Sequence, residues 1–281
     1  MKGLTRTLLT SLVILLLLAA LFSGWKIYSI QRGYHDAADR YDSLSGAVFS
    51  ALTGGGEETN VPAQNGAAQN SVAQEGAAQD GVIVIGTDEP QAFSPISIDF
   101  DLLSQRSDDV IGWLYLPDTA INYPVVQGYD NDYYLDHFID GTPNVGGSLF
   151  ADYACPDDFS GQNTIIYGHN MRDGSMFALV DDYSDQAFYD AHPVMYLNAP
   201  QQNYRVDFFA GFTTDPESFV YTAAFATEGD FIAYLNTVKQ YSDFSSPVEV
   251  GGTDRIITLS TCTYSAEDVR FVLFGKLTEI G

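Results

Sequence analysis

The stretch Arg255–Thr278, RIITLSTCTYSAEDVRFVLFGKLT, holds two β-like apolar runs separated by seven more polar residues, Thr263–Val269. A connection of that length can join two strands as antiparallel neighbours, which sets Cys262 at the end of the first run opposite Arg270 at the start of the second. Opposed side chains on such a pair approach to about 5 Å at Cβ. Strand alternation puts Ile256, Thr258, Ser260 and Cys262 on one face and Ile257, Leu259 and Thr261 on the other. A row of small polar residues ending in a thiol is not the pattern of a core-facing row. A guanidinium stays protonated and offers several N–H donors, so Arg270 is suited to hold a carbonyl oxygen while a sulfur attacks the adjoining carbon. A surface ion pair with Glu267 or Asp268 is the alternative reading of the arginine.

Six more β-rich runs precede this pair: Gly112–Leu116, Ile121–Val126, Gly147–Asp152, Asn163–Gly168, Val194–Asn198 and Tyr204–Thr213. Eight short strands separated by turn residues fit a mainly β fold, a closed or nearly closed barrel. Helical signals are fewer. Asp99–Ser107 reads as a short helix before the first strand. Thr227–Ser242 has Thr227 as N-cap and Phe231, Leu235 and Val238 on one face, which places a second helix in the connection between strands 6 and 7.

The chain contains no CxxC pair, no HExxH, no Walker loop and no GxSxG elbow, so zinc, nucleotide and α/β-hydrolase chemistries lose their usual sequence support. No metal and no cofactor is expected. Of the two cysteines, Cys155 lies in a Pro- and Asp-rich loop before Asn163–Gly168, a strand roughly 20 Å long. That length would put Cys155 at the end of the barrel remote from His169, which argues against a disulfide with Cys262. His169 ends an apolar run and borders a loop, where a scaffold presents side chains to ligands. A thiol needs a proton-handling partner near neutrality, and imidazole suits that task. His35, His137 and His192 carry no such placement and read as structural.

Thr7–Trp25 is nineteen residues without a charge, spanning about 28 Å as a helix, close to the roughly 30 Å of a bilayer's hydrocarbon core. It reads as an uncleaved signal anchor, with residues 1–26 forming a cytoplasmic N-terminus and membrane span and the long polar C-terminal part exported. Ile27, Ile30, Tyr34, Ala37, Tyr41, Leu44 and Val48 then form one helical stripe, either a juxtamembrane amphipathic helix or the seam of a weak dimer. The Gly/Ala/Gln/Asn-rich stretch that follows has almost nothing to bury and reads as a flexible stalk, so residues 27–92 are expected to link the anchor to a globular domain at 93–281. A formal charge of -25 with only twelve Lys and Arg excludes nucleic acid as a natural partner and disfavours anionic lipid headgroups. Such a surface draws cations, a free amine among them.

Taken together, TLSTC at Thr258–Cys262, the arginine on the next strand and NTIIYGHNM at Asn163–Met171 resemble the sortases, class B in particular. The likeness extends through DVIGWLYLPDTAINYPVVQGYDNDYYLDHFIDG, GSLFADY and DGSMFALV, covering roughly Ile98–Thr278. It implies a membrane-anchored cysteine transpeptidase of a Gram-positive envelope on an eight-stranded sortase barrel. By the resemblance Cys262 is the nucleophile, His169 the general acid and base, and Arg270 the group that orients substrate and stabilises the oxyanion. Their chain neighbours Ser260, Thr261 and Asn170 are expected to bind the substrate. The implied partners are a C-terminal sorting-motif peptide of secreted proteins and an acceptor amine, from a peptidoglycan precursor or a pilin lysine. Simple proteolysis by the same thiol is the rival activity.

Overall fold

A computed structural model describes residues 2–51, 93–262 and 269–281. Most of the stretch read as a stalk, and the Glu267 and Asp268 offered as partners for Arg270, lie outside these residues. Helix α1 runs Lys2–Val48 and leads into β1, Phe49–Ala51. Strand β2, Ile96–Ile98, and the short helix α2, Phe100–Ser104, open the rest of the chain. Eight strands follow: β3 Val110–Tyr115, β4 Asn122–Val126, β5 Leu149–Ala151, β6 Asn163–Gly168, β7 Val194–Asn198, β8 Asn203–Thr214, β9 Arg255–Cys262 and β10 Arg270–Ile280. They close into a barrel in the order β10-β8-β7-β3-β4-β5-β6-β9, so the eight strands read from the sequence are the eight staves. Helix α3, Gln186–Ala191, precedes β7, and helix α4, Glu228–Tyr241, lies between the sixth and seventh barrel strands as expected. The β1–β2 pair and α3 have no counterpart in the sequence reading, because segments of three to six residues carry too little periodicity to detect.

Local chemistry sets the helix starts. Asp99 caps α2 by accepting the Leu102 N–H at 2.8 Å, and Thr227 caps α4 by accepting from Asp230 N–H at 3.1 Å. Buried Phe231, Tyr234, Leu235 and Val238 turn α4 onto the barrel.

The barrel wall at β8, β9 and β10 is buried on both sides. Ile257, Leu259, Phe271 and Leu273 belong to the main core. Ile256, Val272 and Phe274 belong to a second cluster, built with Phe209, Phe212 and the inner face of α4. Two-sided burial explains why Phe271–Phe274 is continuously apolar instead of alternating. It also corrects the expectation that Thr258 and Ser260 face away from any core, since both are buried under the β8–β9 connection. Their hydroxyls are satisfied there. Thr258 donates to Asn163 Oδ1 at 2.8 Å, and Ser260 Oγ lies 3.0 Å from the Tyr221 hydroxyl. Asn163 in turn donates to the Thr222 carbonyl at 3.0 Å. A buried polar row costs little when each member has a partner, and here it staples the connection to the sheet.

Helix α1 is 47 residues long, which at 1.5 Å per residue is about 70 Å. Among the described residues it is the one helix long and apolar enough to cross a membrane. Its lower part does something else. Ala37, Tyr41, Leu44 and Val48 are buried against the chain's own barrel, while Ile27 and Tyr28 are exposed. The lower half of the helical stripe is therefore filled by the barrel and offers no seam to a second copy, which corrects the dimer alternative for those positions. Each side chain the size of Leu or Val is worth about 1.5–3 kcal/mol when fully buried, so Tyr41, Leu44 and Val48 together hold the helix firmly. Strand β1 then pairs with β2, Phe49 opposite Ile98. Residues 51 and 96 thus meet in one two-stranded sheet directly after the end of α1.

Two expectations follow from this packing. A Cβ built on Gly168 falls 2.4 Å from Leu149 Cδ2 and 2.6 Å from Phe177 Cδ2, both in the core. Gly168→Ala should cost about 1–3 kcal/mol through overpacking and lower the calorimetric midpoint by roughly 3–10 °C. Burial, the first cause in each case, raises the phenols of Tyr123, Tyr167, Tyr183 and Tyr234, that of Tyr123 to about 12. Raised folded values mean that their contribution is fully present below about pH 10, the free phenol's range, and is lost as pH rises through the folded values. Absorbance titration of tyrosinate should then show these four buried tyrosines ionising only with alkaline unfolding. Ionisation of all tyrosines in one step near pH 10, with the fold intact, would contradict this packing.

Candidate active site

Strand β9 has β6 on one side, parallel, and β10 on the other, antiparallel. Gly168 is level with Thr261, and Cys262 is directly opposite Arg270. Since His169 is the residue after Gly168, the register brings Cys262, His169 and Arg270 to the same end of three adjacent strands. The expected trio is thus assembled from three chain segments by hydrogen-bonded pairing alone, with Arg270 in the facing position that the seven-residue connection implied.

A cleft of about 530 Å³ opens at this end of the barrel. Its lining includes His169, Arg270, Ser260 and Thr261, so the structure places four of the six expected site residues on the cleft wall, and β9 carries Cys262 to the same edge. The Thr261 hydroxyl is buried and lacks a hydrogen-bond partner among the described residues. Asn170 goes elsewhere. Its amide donates to Asp181 Oδ2 at 3.1 Å and its backbone bridges to Met176, so it does not line the cleft and the expectation that it binds substrate gains no support.

His169 is half-buried, and its Nε2 lies 2.7 Å from the Leu135 carbonyl oxygen. A carbonyl can only accept, so Nε2 carries the proton and Nδ1 is the nitrogen left to exchange one. The backbone is held as well, because Phe177 N–H donates to the His169 carbonyl at 2.9 Å. Arg270 is half-buried and donates from Nη1 to the Val269 carbonyl at 3.2 Å. This keeps a fixed cation at the cleft.

The far wall is aromatic. Tyr167 stacks on Tyr221 with ring centroids 6.1 Å apart and meets Phe150 at 5.2 Å. The Tyr167 hydroxyl donates to Asp152 Oδ2 at 2.9 Å, and the Asn131 amide donates to the same oxygen at 2.9 Å. Burial first, then the Asp152 carboxylate, pushes the Tyr167 phenol well above its ordinary value, so it stays a donor. Tyr221 reaches back to Ser260, joining the β8–β9 connection to the strand that bears the cysteine. Leu135, Tyr167 and Tyr221 were not singled out from the sequence. Alternation puts Tyr167 and His169, two residues apart, on the same side of the sheet, but only closure of the barrel reveals which side is a cleft.

Cys155 is a buried free thiol whose Sγ contacts the Asn163 carbonyl at 3.6 Å. Asn163 begins β6 and His169 follows its end, so this cysteine sits toward the opposite end of the strand, as its place in the sequence implied. Burial raises its thiol, which leaves it protonated and poorly reactive.

The sortase domain family model matches residues 114–278. Sortase B of Listeria monocytogenes is 45% identical over 177 residues, covering 62% of this chain and 72% of that protein. Among solved structures, a Staphylococcus aureus sortase B-substrate complex superposes with a TM-score of 0.62 at 32% identity, covering 65% of this chain and 85% of that one. Sortase B complexed with Gly3 is equally similar, with a TM-score of 0.62, 32% identity and coverage of 65% and 86%. Cysteine, histidine and arginine at the ends of three paired strands, on a barrel matched over more than half the chain, lead to one conclusion: the chain belongs to the sortase family, on its class B side, and is a cysteine transpeptidase.

Proposed function

We propose that this enzyme cuts a C-terminal sorting motif of secreted proteins after its threonine and joins the new carboxyl end to a cell-wall amine. The sulfur of Cys262 attacks the threonine carbonyl as its thiol proton passes to His169, and Arg270 holds the oxygen as negative charge develops on it. The C–N bond then breaks, and His169 gives its proton to the departing amine. A thioester remains on Cys262. An incoming amine attacks that thioester, the C–S bond breaks, and the amine's proton returns through His169 to restore the starting state. A thioester suits the role because amines attack it readily while water does so slowly, which favours transfer over hydrolysis.

The observation that supports this reading most is the register of β9, level with β6 at Gly168–Thr261 and with β10 at Cys262–Arg270. Substrate recognition is assigned to the cleft wall formed by Leu135, Tyr167, Tyr221 and Ser260. These side chains are largely apolar and uncharged, which fits an extended peptide with one bulky apolar residue at this wall better than a charged one. The sortase B named with a substrate and the one named with Gly3 indicate, by likeness, a peptide donor and an amine acceptor for this chain as well. The apolar helix α1 anchors the enzyme, with the catalytic barrel on the outer side of the membrane.

The direct test is intact-mass spectrometry of the full chain after mixing with peptides ending in LPxTG-, NPxTx- and SPxTG-like motifs, with and without triglycine or a lysine-bearing peptide. An acyl adduct on Cys262 is expected with one motif class, and added amine should convert hydrolysis into ligation. Cys262→Ala should abolish the adduct. Arg270→Ala should lower kcat/KM by about 10²–10³, the range for loss of one oxyanion donor. Cleavage whose rate and products ignore every added amine would instead show a hydrolytic protease.

A further inference from the structure

The segment from Tyr133 to Ser148 is the latter part of the connection from β4 to β5 and supplies the Leu135 carbonyl that holds His169 Nε2. Beyond the 3-10 turn Tyr133–Leu135 it has no regular helix or strand, so the position of that carbonyl depends on what is fastened to the segment. Gly147 packs directly behind it. With φ at +56°, a Cβ added there would meet the Leu135 and Tyr134 carbonyl oxygens at 2.5 Å each. The next link is Ser148, whose N–H donates to the Tyr134 carbonyl at 2.9 Å and whose hydroxyl donates to the His137 carbonyl at 3.0 Å.

From the other side α1 grips the same residues. The Tyr41 hydroxyl donates to the Gly147 carbonyl at 2.6 Å and lies 3.1 Å from Ser148 Oγ. Its ring packs on Phe138 at 4.8 Å and edge-on to Tyr123 at 5.2 Å. Arg40 donates to Thr142 Oγ1 and lays its guanidinium over Phe138, 5.3 Å from the ring centroid. The chain of contact is short: Tyr41 to Gly147, Gly147 against Leu135, Leu135 to His169. We infer that Tyr41 of the juxtamembrane helix is a positioning residue for His169, which makes the lower half of α1 part of the catalytic unit as well as its tether.

This inference rests on the proton-transfer role proposed for His169, and the test separates the two. The full chain is prepared in detergent micelles with ¹⁵N-labelled histidine, as wild type, Tyr41→Phe and Gly147→Ala. Tyr41→Phe removes one hydroxyl and keeps the ring. Three quantities are read: the His169 Nε2–H tautomer by NMR, the rate of Cys262 acylation by peptide, and the melting temperature. Tyr41→Phe should reduce the Nε2–H tautomer and slow acylation about tenfold, equivalent to about 1.4 kcal/mol, with the melting temperature within a few degrees of wild type. Gly147→Ala, pressing on the Leu135 carbonyl from behind, should change the same two signals. Wild-type rates in both variants overturn the inference, as does slowing without a tautomer change or in mere proportion to lost stability. Should wild type be acylated by none of the peptides, the transpeptidation reading fails, and the His169 signal alone decides the positioning role.

Discussion

The position of β9 between two partners of opposite sense is the constraint on which the site depends. Parallel pairing with β6 brings the end of that strand, and hence His169, to the level of Cys262. Antiparallel pairing with β10 sets Arg270 across from the cysteine. A shift of one residue in either register would turn every side chain of β9 to the opposite face, separating hydroxyls from their partners and apolar residues from both cores. The registers are therefore enforced by burial on both sides, and the alignment of Cys262, His169 and Arg270 follows from packing that extends well beyond them.

The polar row of β9 shows how that enforcement works. Thr258 and Ser260 lie under the β8–β9 connection, tied to Asn163 and Tyr221. Buried without partners, each hydroxyl would cost about 1–3 kcal/mol; paired, they define which residues of the connection lie above the strand. Tyr221 is one of these, and its ring stacks on Tyr167 to make the aromatic wall of the cleft. One ladder of hydrogen bonds thus orders both the cover of the barrel and the shape of the site.

Helix α1 changes character along its length. Its upper part presents Leu15–Leu18, Leu21, Phe22 and Trp25 outward, apolar enough to cross a membrane, and its lower part buries Tyr41, Leu44 and Val48 in protein. The end of the helix and the barrel are then one mechanical unit, because β1, directly after α1, pairs with β2. The catalytic barrel and the packed end of this long apolar helix therefore move together.

Much of this was legible in the chain. The eight strands, the cap and buried face of α4, and the meeting of Cys262 with Arg270 all follow from periodicities and short spacings, which operate between neighbours in sequence. His169 could be singled out by its strand-end place and by resemblance, but its proximity to Cys262 involves a pairing across some ninety intervening residues, which no local pattern specifies. Burial of Thr258 and Ser260, the aromatic wall of Tyr167 and Tyr221, the diversion of Asn170 to Asp181 and the docking of the Tyr41 stripe onto the barrel were decided only by the closed structure. An amphipathic stripe states that a face must be covered and is silent on the cover, since the hydrophobic effect is non-directional. Here the barrel, already held beside the helix by the β1–β2 pair, supplies that cover at the highest effective concentration.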